Sequence, residues 1–227
     1  MDKQIYYHFL SSQNAIDDLE KRRIKISTID ALNDPFEMVP YLRFRGLKRR
    51  MPYHKARREI SKKYGFLCFS RDWSEPLLWS HYADKHKGIA IGFEILRDKV
   101  LKVAYSLDPI RKQIELTSDS KTNERLFLDL AKVKYRKWDY ENETRILVKL
   151  EDCIKNGSYY FLCFDNRLKV KEIVLGCKFD HKKERGNIIK LTNQLGAGII
   201  PTRQGWEDYK IHRCGTKTKQ YQKIQII

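Results

Sequence analysis

The stretch Tyr140–Val148, YENETRILV, sets two carboxylates and an arginine at alternate positions and then turns apolar. Alternation with period two is strand geometry, because successive side chains of an extended chain point to opposite faces. Glu141, Glu143 and Arg145 then share one face, and Ile146 and Val148 point the other way, toward a core. A charged strand face is commonly a solvated one. The functional alternative is a carboxylate held rigidly on a strand with a second acid two residues before it. Such a pair can grip a hydroxyl and stabilise a developing cation.

The surroundings of this strand set the fold class. Strand-like runs recur at QIYYHFL, IKIST, GFLCFS, GIAIGFEI, LKVAYS, ETRILVKLE, YYFLCF, KEIVLGCKF, DYKIHRC and YQKIQII. Helical patterns fall at SSQNAIDDLEKRR, YHKARREISKKY, EPLLWSHYADKHK, SKTNERLFLDLAKVKYRKW and ERGNIIKLTNQLG. Serine caps open the first of these, and Gly196 closes the last. Helices among many short strands, without regular strand–helix alternation, make an α+β fold. The 227 residues, 41% of them apolar, suit one domain spanning 1–227, with a basic helical insertion around 41–64. No glycine-rich phosphate loop of the dinucleotide or P-loop kind is present.

The net charge of +17 attracts polyanions, with nucleic acid ahead of an anionic membrane. Ten lysines or arginines against one acid fall within residues 43–63. Arg43, Arg45, Lys48, Arg49, Arg50, Arg57 and Arg58 are its candidate phosphate contacts, with Tyr41, Phe44 and Tyr53 as stacking surfaces. The alternative is a solvated helix face. Five cysteines without a C-x-x-C pair, Cys68, Cys163 and Cys177 in apolar runs, read as buried hydrophobes of a reducing cytoplasm. No apolar run approaches membrane-spanning length, and the N-terminus has no signal region.

Other groups could carry chemistry. His8 sits mid-strand in YYHF; a lone strand histidine is more often structural. Trp79 and Tyr82 are three apart on a helix and neighbours there, able to hold a planar ring or to pack in the core. His81 and His86, five apart, share no helix face and do not make a zinc pair. LNDPFE, residues 32–37, is a turn carrying Asp34 and Glu37, with Phe36 either its core anchor or part of a ligand loop. Asp34, Glu37, Glu141 and Glu143 together allow a metal-dependent nuclease, although no acid-x-lysine signature accompanies them. A non-catalytic nucleic-acid-binding module is a third reading.

YHFLSSQNAI, LNDPFE, LCFS, LLWSHYADKHKGIAIGFE and WDYENETRILV stand in the order used by a large bacterial family known as a domain of unknown function and common in phage-defence neighbourhoods. The resemblance covers about residues 5–180. The layout also resembles diverged ADP-ribosyltransferase toxins. That second resemblance implies split mixed and antiparallel sheets flanked by helices, NAD as substrate, and transfer to nucleic acid, RNA ahead of DNA. It implies an antitoxin or chaperone as a partner. His8 would bond the adenosine ribose and Tyr82 would stack on nicotinamide, with Trp79 or His81 assisting. Ser27, Asn33 and Phe36 would complete the NAD contacts. Glu143 would hold the nicotinamide-ribose hydroxyl and stabilise the oxocarbenium-like state, and Glu141 would activate the acceptor. IST at Ile26–Thr28 is only a fragment of the S-T-S element of the arginine-modifying branch.

Overall fold

The computed structural model describes residues 2–39, 47–108 and 120–215, with side chains described except at 47–50 and 120–122. The elements in chain order are β1 (Lys3–Leu10), α1 (Ser12–Glu20), β2 (Arg23–Thr28), α2 (Leu47–Ser61), β3 (Tyr64–Ser70), α3 (Pro76–Tyr82), β4 (Ile89–Leu96), β5 (Leu101–Lys102), β6 (Ala104–Ser106), α4 (Ser120–Leu130), β7 (Val133–Tyr135), β8 (Glu143–Lys149), β9 (Ile154–Asn156), β10 (Tyr159–Cys163), β11 (Lys169–Leu175), α5 (His181–Leu195), β12 (Gly198–Gln204) and β13 (Ile211–Arg213). The architecture is mixed α+β, with a large mixed sheet and flanking helices.

β4 is the centre of that sheet. Its IAIGFEIL run is buried on both faces, as a strand paired on both edges and covered on both sides must be. β1 pairs with it antiparallel along its full length, and β11 takes the other edge. α5 then carries the chain across to β12, which lies parallel to β11. Such a crossover is what parallel pairing requires. α1 and α5 cover one face: Ala15, Ile16, Leu19, Ile188 and Leu191 pack on Ile89, Ile91 and Phe93. α3 covers the other, through Leu78 and Trp79, with Ala83 just past its end, against Phe9, Ala90 and Val174. α2 and α4 form a third cluster on β3, where Tyr53 and Phe127 stack at 5.6 Å beside Phe66.

β3 forks the sheet. One edge pairs with β8 from Tyr64↔Lys149 to Ser70↔Glu143. The other edge meets β2 at Phe66 and Gly65, and meets β1 at Ser70. Between those points neither strand is in register with β3, so β1 and β2 diverge and open a gap. Gly65 is needed where β2 arrives, because a Cβ there would meet Ile26 Cγ2 at 2.4 Å. Inside the gap the Cys68 carbonyl has a side-chain partner instead, as His8 Nδ1 donates to it over 2.7 Å. A buried carbonyl without a ladder partner must find another donor.

Several expectations need correction. The helix expected over EPLLWSHYADKHK stops at Tyr82, and Asp84, Lys85 and His86 follow with φ of 44°, 53° and 71°. The helix expected to run on to Trp138 stops at Leu130, and β7 follows. Breaks at Val103 and Asn142 divide two expected strands. β9 and β12 have no counterpart in the sequence reading, and Pro201 inside GIIPTRQ accounts for the second omission. YQKIQII lies outside the described residues. Cys163 is exposed and not a buried hydrophobe, and no disulfide joins the cysteines. Among the described residues no helix is long and apolar enough to cross a membrane.

Candidate functional site: a carboxylate cluster beneath a cleft in the forked sheet

The gap between β1 and β2 opens into a cleft of about 420 Å³. That volume is in the range of small-molecule sites. β1 lends it Tyr7 and His8, β2 lends Lys25 and Ser27, and the turn after β2 lends Asn33 and Glu37. His81 and Tyr82 of α3, Lys134 of β7, and Glu141 and Glu143 complete the side bearing charge.

Five charges gather at its floor. Lys134 Nζ lies 3.1 Å from Glu37, 2.5 Å from Glu141 and 3.1 Å from Glu143. Arg145 grips Glu143 with two bonds, Nε to Oε1 at 2.6 Å and Nη2 to Oε2 at 2.9 Å. Its Nη2 also donates to Glu37 Oε2 over 2.5 Å, and its Nη1 to the Ala131 carbonyl over 3.2 Å. Tyr82 donates its hydroxyl proton to Glu141 Oε1 over 2.6 Å and is itself approached by Asn33 Nδ2 at 3.4 Å. The Glu143 amide donates to Tyr105 Oη over 2.7 Å. The side chains of Lys134, Arg145 and the three glutamates are at most 6% exposed. A solvated charged face is therefore not what the alternation in YENETRILV encodes.

Local geometry explains how they meet. Glu141 ends a 3₁₀ turn, and Asn142 adopts a left-handed φ of 45°, so the strand starts only at Glu143. Strict alternation thus covers Glu143 and Arg145, and a turn brings Glu141 alongside. Asn suits that left-handed position, and Arg71 bonds its side-chain oxygen. Glu37 arrives from the turn in which Asp34 Oδ1 accepts the Phe36 amide at 2.9 Å.

The cluster sets unequal proton affinities. Burial by itself would raise the Glu143 carboxyl, but the Arg145 guanidinium and Lys134 override it and hold it down to about 2. Burial pushes Glu141 up, Lys134 draws it back, and neighbouring Glu143 pushes it up again; the outcome is raised. Burial opposes charge on Lys134, yet Glu143, Glu37 and Glu141 together keep it firmly protonated. Burial lowers His8, more than its carbonyl bond raises it. A neutral His8 that donates from Nδ1 keeps Nε2 as an acceptor.

The lone pairs differ in the same way. Glu143 accepts three bonds from Arg145 and Lys134. Glu141 accepts one bond on each oxygen, leaving lone pairs open.

The structure brings His8, Ser27, Asn33, His81, Tyr82, Glu141 and Glu143 to the cleft. Trp79 is not among its walls: it is fully buried, edge-on to Phe9 at 5.1 Å, with its indole donating to the Trp73 carbonyl. Phe36 is 77% exposed, neither anchoring the core nor lining the cleft. Arg43 and Arg45, with Tyr41 and Phe44, lie outside the described residues. Lys48, Arg49 and Arg50 fall at the start of α2, in the part whose side chains are not described. Arg57 is committed to Asp30 and the Ile29 carbonyl, whereas Arg58 is exposed. Tyr53 is buried, bonding the Met38 carbonyl, and so offers no outer stacking surface. Lys134 has no place among the site residues expected from the sequence; Glu37 is expected there as a turn acid and a nuclease metal ligand, and Arg145 as a strand-face charge.

Residues 78–146 match the model of a protein family described as "Protein of unknown function (DUF2971)". No curated protein and no solved structure matches the chain. The matched segment runs from α3 into β8 and holds His81, Tyr82, Lys134, Glu141, Glu143 and Arg145, so most of the charge cluster and one wall of the cleft lie within the stretch that is similar to that family.

Proposed function

We propose that the protein cleaves NAD and transfers its ADP-ribose to nucleic acid, single-stranded and RNA ahead of DNA, as a toxin of anti-phage defence. One observation carries the reading. Among the described residues, Lys134 and Arg145 are the cations paired with Glu37, Glu141 and Glu143, so this ionised cluster holds one surplus negative charge out of water beneath a cleft. A buried uncompensated charge is costly unless a cation meets it. The oxocarbenium-like ribose formed as nicotinamide leaves is such a cation, and it exists only in the transition state.

The forked sheet, His8 on its first strand and acids at the start of a late strand are in keeping with the ADP-ribosyltransferase-like layout. In this reading the bond between nicotinamide and ribose C1′ breaks, and nicotinamide leaves with the electron pair. Glu141 and Glu143 stabilise the positive charge left on the ribose. The acceptor then bonds to C1′ and gives up its proton to Glu141, the acid with open lone pairs and raised proton affinity. Glu143, saturated by its donors, is the fixed anion beside it. Tyr82 would flank nicotinamide, His8 Nε2 would accept from a ribose hydroxyl, and Lys25, exposed on the cleft wall, would meet the diphosphate. The base would have to leave its stack to reach C1′, which favours a single strand.

The test is incubation with labelled NAD and separate pools of RNA, DNA and protein. Label in a nucleic-acid pool, lost in Glu141→Gln, is the expected result. Strand cleavage that needs magnesium and leaves NAD intact would replace the reading with a nuclease. No label and no cleavage would leave a binding module.

A further inference from the structure

We propose that Lys134 is a positioning residue of this site, holding Glu141 and Glu143 side by side as a pair of anions. The inference rests on the NAD-cleaving reading for its activity arm, but its geometry stands by itself.

The three acids around Lys134 come from separate pieces of backbone: the turn after β2, the 3₁₀ turn ending at Glu141, and β8. The left-handed Asn142 interrupts the strand between Glu141 and Glu143, so regular pairing does not fix their separation. Two carboxylates brought together out of water repel, and one takes up a proton unless a cation lies between them. Arg145 reaches Glu143 and Glu37. Among the described residues, Lys134 is the cation bonded to Glu141. Its ammonium fills the point where the three carboxylates converge, and its three protons match three acceptors.

Among the described residues, the other groups facing Glu141 are Tyr82 from α3, Glu143 from β8, and Tyr140 and Tyr105 at longer range. None of them is a cation. Without Lys134, Glu141 would face a carboxylate and phenols alone, and it would hold its proton to higher pH. A buried ion pair is weak evidence for stability. The orientation of two acids in a cleft is a better reason for its place here. Lys134 itself lines that cleft, so a small amine has a route to the position its ammonium occupies.

The experiment compares wild type with Lys134→Met, reading nicotinamide release against pH. The expected variant loses about a hundredfold in kcat, with KM for NAD changed by less than about threefold. Its acid limb moves up by about one pH unit or more. Ethylammonium restores about tenfold of the lost kcat in Lys134→Ala and nothing in wild type. A variant that melts earlier but keeps the wild-type kcat and acid limb overturns the proposal, and so does failure of ethylammonium to rescue. If Lys134→Met does not fold, Lys134→Gln, which keeps a donor without the charge, carries the same comparison.

A second readout is independent of turnover: the carboxyl carbon resonance of Glu141, assigned through Glu141→Gln and titrated in both proteins. An upward shift in the Lys134 variant, with no NAD consumed by wild type, would leave the positioning role standing and sink the transferase reading. An unchanged titration overturns the positioning role whatever the enzyme does.

Discussion

The charge cluster beneath the cleft and the basic helix α2 are both dense in charge, and they solve opposite problems. In the cluster every charged group has a partner of opposite sign, and hardly any of it meets water. On α2, Arg58 and Lys55 are exposed, and the helix is anchored by a few apolar residues, Tyr53 and Ile60 among them. Buried charges are expensive to remove singly, because each loss strands a partner. Exposed ones are screened and cost little. Density of charge in the sequence therefore says little; the residues beside it decide. Apolar β8 neighbours carry Glu143 and Arg145 inward, while polar α2 neighbours leave Arg58 in solvent.

That contrast can be broken at its strongest point first. Arg145→Met should destabilise the fold by about 3–5 kcal/mol, since Glu143 and Glu37 both lose a buried partner. Chemical denaturation would read it, and a loss below about 1 kcal/mol would mean the cluster is wetter than its burial indicates. Glu141→Gln should leave the fold nearly as stable and reduce NAD cleavage by about a thousandfold, or about 4 kcal/mol in barrier. In wild type the activity should fall as pH drops through the raised Glu141 value, at a pH above the ordinary glutamate range, because the protonated acid no longer offers its negative charge. An acid limb at or below pH 4.5 in the rate profile would count against Glu141.

A lone buried acid gives an intermediate case. Asp18 on α1 is buried, and burial, only partly offset by a backbone bond from Lys25, pushes its carboxyl up to about 7. A folded value above the unfolded one means a stability contribution that is complete below about pH 4 and lost as pH rises through about 7. Asp18→Asn should then raise stability at pH 8 by on the order of 2 kcal/mol and do little at pH 4. Equal effects at both pH values would show that packing, not charge, governs the site. The smallest stability effect belongs to α2. Arg58→Glu should change stability by less than about 0.5 kcal/mol while weakening oligonucleotide binding and flattening its salt dependence by about one unit of slope. Unaltered binding in a salt titration would remove Arg58 from the acceptor surface.

The legible parts of the site are those with local signals. His8, Glu143 and Arg145 lie on strands whose apolar residues announce them, and Tyr82 lies on a helix begun by Pro76 at its first turn. Lys134 was not legible because SKTNERLFLDLAKVKYRKW is helix-like throughout, and its lysines look like a solvated face. The chain leaves that helix after Leu130, and β7 pairs parallel with β6, a contact far away in sequence. Tertiary pairing there overrides local propensity. Glu37 was visible as a turn acid, but its distance from Arg145 in sequence is 108 residues, which no local pattern spans. Trp79 illustrates the reverse: it is conspicuous in a motif-rich helix, yet packs against Phe9 as an ordinary core ring. The fork at β3 was not legible, since nothing in GFLCFS states that one of its edges is shared by two strands.

The sheet's order also has a consequence for synthesis. β1 lies beside β4, β3 beside β8, β2 beside β10, and β4 beside β11. A chain emerging from the ribosome therefore waits a long time for most of its neighbours. Glu37 leaves the tunnel early, but Lys134, Glu141, Glu143 and Arg145 follow about a hundred residues later. Until then the acid has no cation to meet and β3 has a bare edge. Long-range pairing of this kind folds slowly and exposes sticky strand edges meanwhile. The buried charge cluster thus cannot assemble on a half-made chain, and an unfinished copy of this protein should be prone to aggregate.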